Sequence, residues 1–158
     1  MTTEARFEDG KLVVTRTYDA PRELVFEAWV ETSKVQQWWG CEQCVAVRSE
    51  VEPKVGGAYN HHMTIEGAGE VPSFATLVEF DPPVRLAYES TLPTDSGVKM
   101  KVTVDFTEVE GGTHVRLEHS GIPDTQVDGG FELRDIVRGG WSAAFHKLAN
   151  FLAAESLS

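Results

Sequence analysis

Apolar and polar positions change their period twice along this chain, and the changes predict its elements. Lys11 to Tyr18 alternates and is rich in β-branched residues, which predicts a first strand. Pro21 suits the first turn of a helix, where its missing N–H costs nothing, and Glu23 favours the positive helix end. Leu24, Val25, Ala28 and Trp29 then recur at helical spacing and predict one apolar face. Ser33 followed by Gln36 fits a capping box for a second short helix, which Gly40 ends.

From Val45 to Ser120 the period is two. Val45, Val47 and Val51 lead to a turn over 53–57, after which Tyr59, His61, Met63 and Ile65 fall on one strand face. Residues 67–69 turn the chain again. Ala75 to Phe80 and Val84 to Leu92 flank Asp81-Pro82-Pro83, where two prolines bar ladder bonding. The clearest alternation sets Val98, Met100, Val102, Val104 and Phe106 against Lys99, Lys101, Thr103, Asp105 and Thr107. Glu110-Gly111-Gly112 predicts a hairpin into a last strand, on which Val115, Leu117 and His119 share a face.

After a polar loop over 121–130, the period becomes helical again. Val137, Trp141, Phe145, Leu148 and Leu152 recur at steps of three to four. That stripe must be buried, and the inner face of the antiparallel strands is the large apolar surface available to it. The pattern therefore predicts a strand, two short helices, a meander of about six strands and a packing helix. A curved sheet closed over one helix readily leaves a cavity between them.

Composition narrows the functional classes. The chain has 158 residues, 41% hydrophobic and 25% charged, as expected of one globular domain over 1–158 with its core from about 12 to 153. With 14 basic against 25 acidic residues the net charge is −11, which repels phosphate backbones and anionic membranes. No basic cluster offsets it. No apolar run approaches the roughly 20 residues of a membrane span. The acidic N-terminus lacks a secretory pattern, so a cytoplasmic location is expected.

Several short motifs then stand in a telling order: Asp19-Ala20-Pro21, Val25-Phe26, Trp38-Trp39-Gly40, Gly56-Gly57, Asp81-Pro82-Pro83 with Arg85-Leu86, and Gly140-Trp141 with Leu148 and Leu152. This set resembles the family related to the C-terminal domain of the heat shock protein 90 ATPase activator, within the START-like helix-grip superfamily. The resemblance spans about 12–153. It implies an α+β helix-grip fold, with a curved antiparallel sheet of about six to seven strands around a long C-terminal helix and two short helices after the first strand. It also implies a hydrophobic cavity, without naming a chemistry.

The first expectation for function is a non-catalytic carrier, sensor or stress-related protein that holds a small hydrophobic molecule between sheet and helix. By alternation its walls draw on Tyr59, His61, Met63, Tyr88, Met100, Val102, His119, Trp141 and Phe145, although Met100, Val102 and Phe145 suit a plain core better than a ligand contact. A cyclase or dehydratase-type enzyme is the second expectation, with His61 or His119 moving a proton. The third is a co-chaperone-like interaction domain with a chaperone as partner. No cofactor is expected, and either a monomer or a homodimer would suit the exposed strand edges.

Cys41-Glu42-Gln43-Cys44 departs from the family pattern. It follows a helix end, so the field that activates redox cysteines at helix N-termini is missing. Cys41 and Cys44 are also the candidate metal ligands, with His61-His62 on the next strand as possible partners. Adjacent strand residues point to opposite faces, which argues against a Cys₂His₂ zinc site and for two reduced cysteines or an adventitious disulfide across the loop. Trp29, Trp38, Trp39 and Trp141 read first as structural, with one of Trp38 and Trp39 packed inward and the other edging the cavity. Gly139 and Gly140 are expected to let the terminal helix approach the sheet closely.

Overall fold

The chain begins with a hairpin, β1 (Glu4–Glu8) and β2 (Lys11–Tyr18), turned by Asp9 and Gly10. Both turn residues have positive φ, 51° and 79°, as a two-residue turn between twisted strands requires. The Asp-Gly pair is the sequence signal for β1, a strand that the hydrophobic pattern alone passes over. The structure is a computed structural model that describes residues 2–91, 99–124, 126–127 and 131–156. Leu92 and Val98, and residues 125 and 128–130 of the polar loop, lie outside the described residues.

Two helices follow β2: α1 (Arg22–Val30) and α2 (Thr32–Val35). The buried face of α1 is Val25, Phe26, Ala28 and Trp29, whereas Leu24 is 48% exposed, so the apolar stripe is turned one residue from the expected one. The capping box at Ser33 and Gln36 does not form. Glu31 precedes the first turn of α2 without a side-chain cap, and Gln36 Oε1 instead accepts from the Ser49 backbone N–H at 3.2 Å.

The remaining elements are β3 (Cys44–Val51), β4 (Tyr59–Ile65), β5 (Gly69–Ser73), β6 (Ala75–Asp81), β7 (Arg85–Thr91), β8 (Lys99–Val109), β9 (Gly112–Ser120), β10 (Gln126–Val127), β11 (Phe131–Glu132) and α3 (Leu133–Ser156). Six strands form one antiparallel sheet in the order β1-β2-β9-β8-β7-β6, and three more form a second in the order β3-β4-β5. β10 and β11 pair separately. An isolated bridge between Ala58 and Thr76 joins the two larger sheets, with Gly56 N–H donating to Leu77 O at 2.8 Å. β5 carries Pro72 and is an edge strand, the position where a missing ladder donor is tolerated.

This is the helix-grip arrangement. Along β8, Val102, Val104 and Phe106 are buried, and along β9 Val115, Leu117 and His119 are buried, as the alternation predicts. α3 sets Trp141, Ala144, Phe145, Leu148 and Leu152 against them. Tyr18 Oη donates to Phe145 O at 2.9 Å and fixes the helix to β2. Trp29 lies at the centre, fully buried and stacked on Trp141 at 6.1 Å, with Trp38, Trp39, Phe106 and Phe145 at its edges. Truncating such a residue to alanine would cost about 3–5 kcal/mol. Among the described residues, no helix is long and apolar enough to cross a membrane.

Candidate functional site

An apolar cavity of about 270 Å³ lies between α3, the two larger sheets and the loop after α2. The loop contributes Trp39, Gly40 and Cys41; β4 contributes Met63 and Ile65. Tyr88 and Ser90 on β7, Met100 and Val102 on β8, and His119 on β9 form the floor. α3 closes it with Ile136, Val137, Gly140, Trp141 and Ala144, and Ile136, 48% exposed, marks the rim. Among the described residues that line it, none is an acid, a lysine or an arginine.

Of the residues expected at the walls, Met63, Tyr88, Met100, Val102, His119 and Trp141 lie together there. Tyr59, His61 and Phe145 stand outside the lining, each buried to within 1%. Sequence reasoning missed the helical part of the wall apart from Trp141. Val137 and Ala144 lie four and three residues from Trp141, and Gly140 lies three and four from Val137 and Ala144, so helical spacing could have found them.

Gly139 and Gly140 do not serve close packing. A Cβ on either would meet nothing within 4 Å. At Gly140 the absent side chain opens the cavity instead. Trp38 is core and Trp39 lines the cavity, yet both are buried. Trp38 Nε1 donates to Ala28 O at 2.9 Å, so its indole caps a carbonyl in the last turn of α1.

The two buried histidines differ. His61 stacks on Trp39 with ring centres 3.7 Å apart, and its Nδ1 is 2.8 Å from Ser49 Oγ. Burial holds its pKa down at about 3, with His62 adding a smaller effect. His119 accepts the Trp141 indole N–H at Nδ1, 3.0 Å away. Indole nitrogen only donates, so Nδ1 keeps its lone pair and the ring hydrogen sits on Nε2. Burial holds His119 down at about 4. Both rings are therefore neutral near pH 7.

Around the loop, Lys147 Nζ donates to Trp39 O at 2.9 Å and to Cys41 O at 3.3 Å, tying α3 to the cavity's edge. Burial lowers the Lys147 pKa, and the two nearby cysteines oppose that shift. Cys41 and Cys44 are both free, with sulfurs 3.2 Å apart. Burial pushes the Cys44 thiol up, and its contact with Cys41 adds to this. No cluster of three His, Cys, Asp or Glu side chains suited to a metal occurs among the described residues.

Residues 19–153 match the family model described as activator of Hsp90 ATPase homolog 1-like protein. No protein of curated function matches the chain. Among solved structures, a Rhodobacter sphaeroides protein superposes with a TM-score of 0.79 at 20% identity, covering 98% of this chain and 99% of its own. A Chromobacterium violaceum protein gives 0.76 at 21% identity, covering 89% and 95%. The solution structure of the AHSA1-like protein from Aeromonas hydrophila gives 0.70 at 19% identity, covering 94% and 95%. Likeness at these identities speaks for the fold alone.

Proposed function

Because this chain belongs to the activator of Hsp90 ATPase homolog 1-like family, whose helix-grip fold it shares, we propose that it binds one small, neutral, largely apolar molecule in the cavity beneath α3. The observation that carries this reading is the lining: Trp39, Tyr88 and Trp141 supply aromatic walls, and among the described lining residues none carries a fixed charge. A carboxylate, phosphate or ammonium group on a ligand would lose its hydration there without a counter-charge. The volume of about 270 Å³ lies near the lower end of small-molecule sites.

A carrier or sensor fits better than an enzyme. The Nδ1 lone pair of His119 is already occupied by Trp141, and His61 lies outside the lining. Among the described lining residues there is no carboxylate or lysine to share proton transfer with them.

The test uses Nile red, a neutral apolar dye, with native mass spectrometry for any molecule retained on purification. The intact protein should bind one dye, and Gly140→Leu, which fills open space, should abolish that binding while Gly139→Ala preserves it. Equal dye binding by the intact protein and Gly140→Leu would overturn the reading.

A further inference from the structure

Two cysteine sulfurs touch at the edge of the cavity, and a methionine sulfur lies close by. Cys41 Sγ and Cys44 Sγ are 3.2 Å apart, in a turn closed by Cys44 N–H donating to Cys41 O at 3.2 Å. Gly40, with φ at 97°, reverses the chain just before them. A Cβ on Gly40 would stand 2.7 Å from Cys44 Sγ and 3.5 Å from Met63 Sδ. Both sulfurs thus border one point that only a glycine leaves clear, and Cys41 and Met63 both line the same cavity.

We propose that Cys41, Cys44 and Met63 form a site for one thiophilic monovalent cation of the copper(I) type, with Lys147 as its counter-charge. The donor set decides the class of ion. Two thiolates and a thioether are soft ligands that select copper(I), whereas zinc takes four ligands drawn from thiolate, imidazole and carboxylate. Those harder donors are missing here. His61 is held by Ser49 and Trp39, and no third His, Cys, Asp or Glu joins the pair among the described residues.

Charge also balances. Each thiol gives its proton to solvent and an electron pair to the ion, Met63 adds a neutral pair, and the metal keeps its +1 state. The resulting complex carries one negative charge. Lys147 supplies the matching positive charge from its bonds to Trp39 O and Cys41 O, and it interacts electrostatically with both cysteines.

The test is an anaerobic titration of the reduced protein with copper(I) in competition with a bathocuproine chelator, followed by native mass spectrometry. The protein should retain one copper, and Cys44→Ser should lose it. Met63→Leu should weaken binding at least about tenfold, the low end of the loss when even an outer partner of a metal site is removed. In the unmutated protein, the Met63 ε-methyl resonance should shift until one equivalent of silver(I) has been added. The site is overturned if copper passes wholly to the chelator, or if the metal saturates without moving the Met63 methyl.

Discussion

Trp141 Nε1 donates to His119 Nδ1 across 3.0 Å, from the gripping helix to the floor of the cavity. This bond fixes the imidazole as the Nε2–H form, because an indole nitrogen has no lone pair to offer. Nitrogen-15 NMR should find His119 Nδ1 unprotonated and Nε2 protonated at neutral pH. Trp141→Phe keeps an aromatic ring but leaves Nδ1 without its donor, and should cost about 1–3 kcal/mol in urea unfolding.

The same burial makes the fold sensitive to acid. His119 and His61 have pKa values lowered from 6.5 to about 4 and about 3 in the folded chain. Below pH 6.5 the unfolded chain takes up protons that the folded chain refuses. Stability is therefore complete above pH 6.5 and falls as pH drops toward 4, by roughly 1.4 kcal/mol per pH unit for each histidine. His119→Gln should reduce this slope by about half, measured as urea midpoints between pH 6.5 and 4. An unchanged slope would mean that His119 is not held neutral.

Much of this architecture can be read from the chain, and the exceptions have physical causes. Val102, Val104 and Phe106 face inward because period two admits one assignment once Lys101 and Asp105 must meet water. The role of Gly140 was not legible in the same way. A helical glycine looks identical in sequence whether it touches a neighbour or faces a void, and only packing distinguishes the two. His61 misleads for a related reason: alternation gives its face, but Trp39, brought over it from the preceding loop, separates it from the cavity. Pairing of Trp141 with His119 joins two residues 22 apart in sequence, so it depends on where α3 settles.

Aromatic side chains also cap the end of α1. Glu31 N–H bonds to Glu27 O, the Trp38 indole to Ala28 O at 2.9 Å, and Tyr59 Oη to Trp29 O at 2.8 Å. These carbonyls belong to the last turn, where helical partners run out. Tyr59→Phe preserves the ring while leaving the buried Trp29 carbonyl unpaired. It should lower stability by about 1–3 kcal/mol in chemical denaturation, with little change in the near-ultraviolet circular dichroism of the tryptophan cluster.

The adjacent glycines of α3 separate stability from cavity volume. Each costs the helix about 1 kcal/mol relative to alanine through backbone freedom in the unfolded chain. A Cβ at either position meets no atom within 4 Å, so Gly139→Ala and Gly140→Ala should both stabilise, by about 0.5–1 kcal/mol each. Only Gly140 lines the cavity. Enlarging the side chain to leucine should therefore abolish dye binding at 140 and leave it intact at 139, while the thermal midpoint of neither variant falls. A drop in midpoint for Gly140→Ala would show that the helix backbone, and not the cavity, requires that glycine.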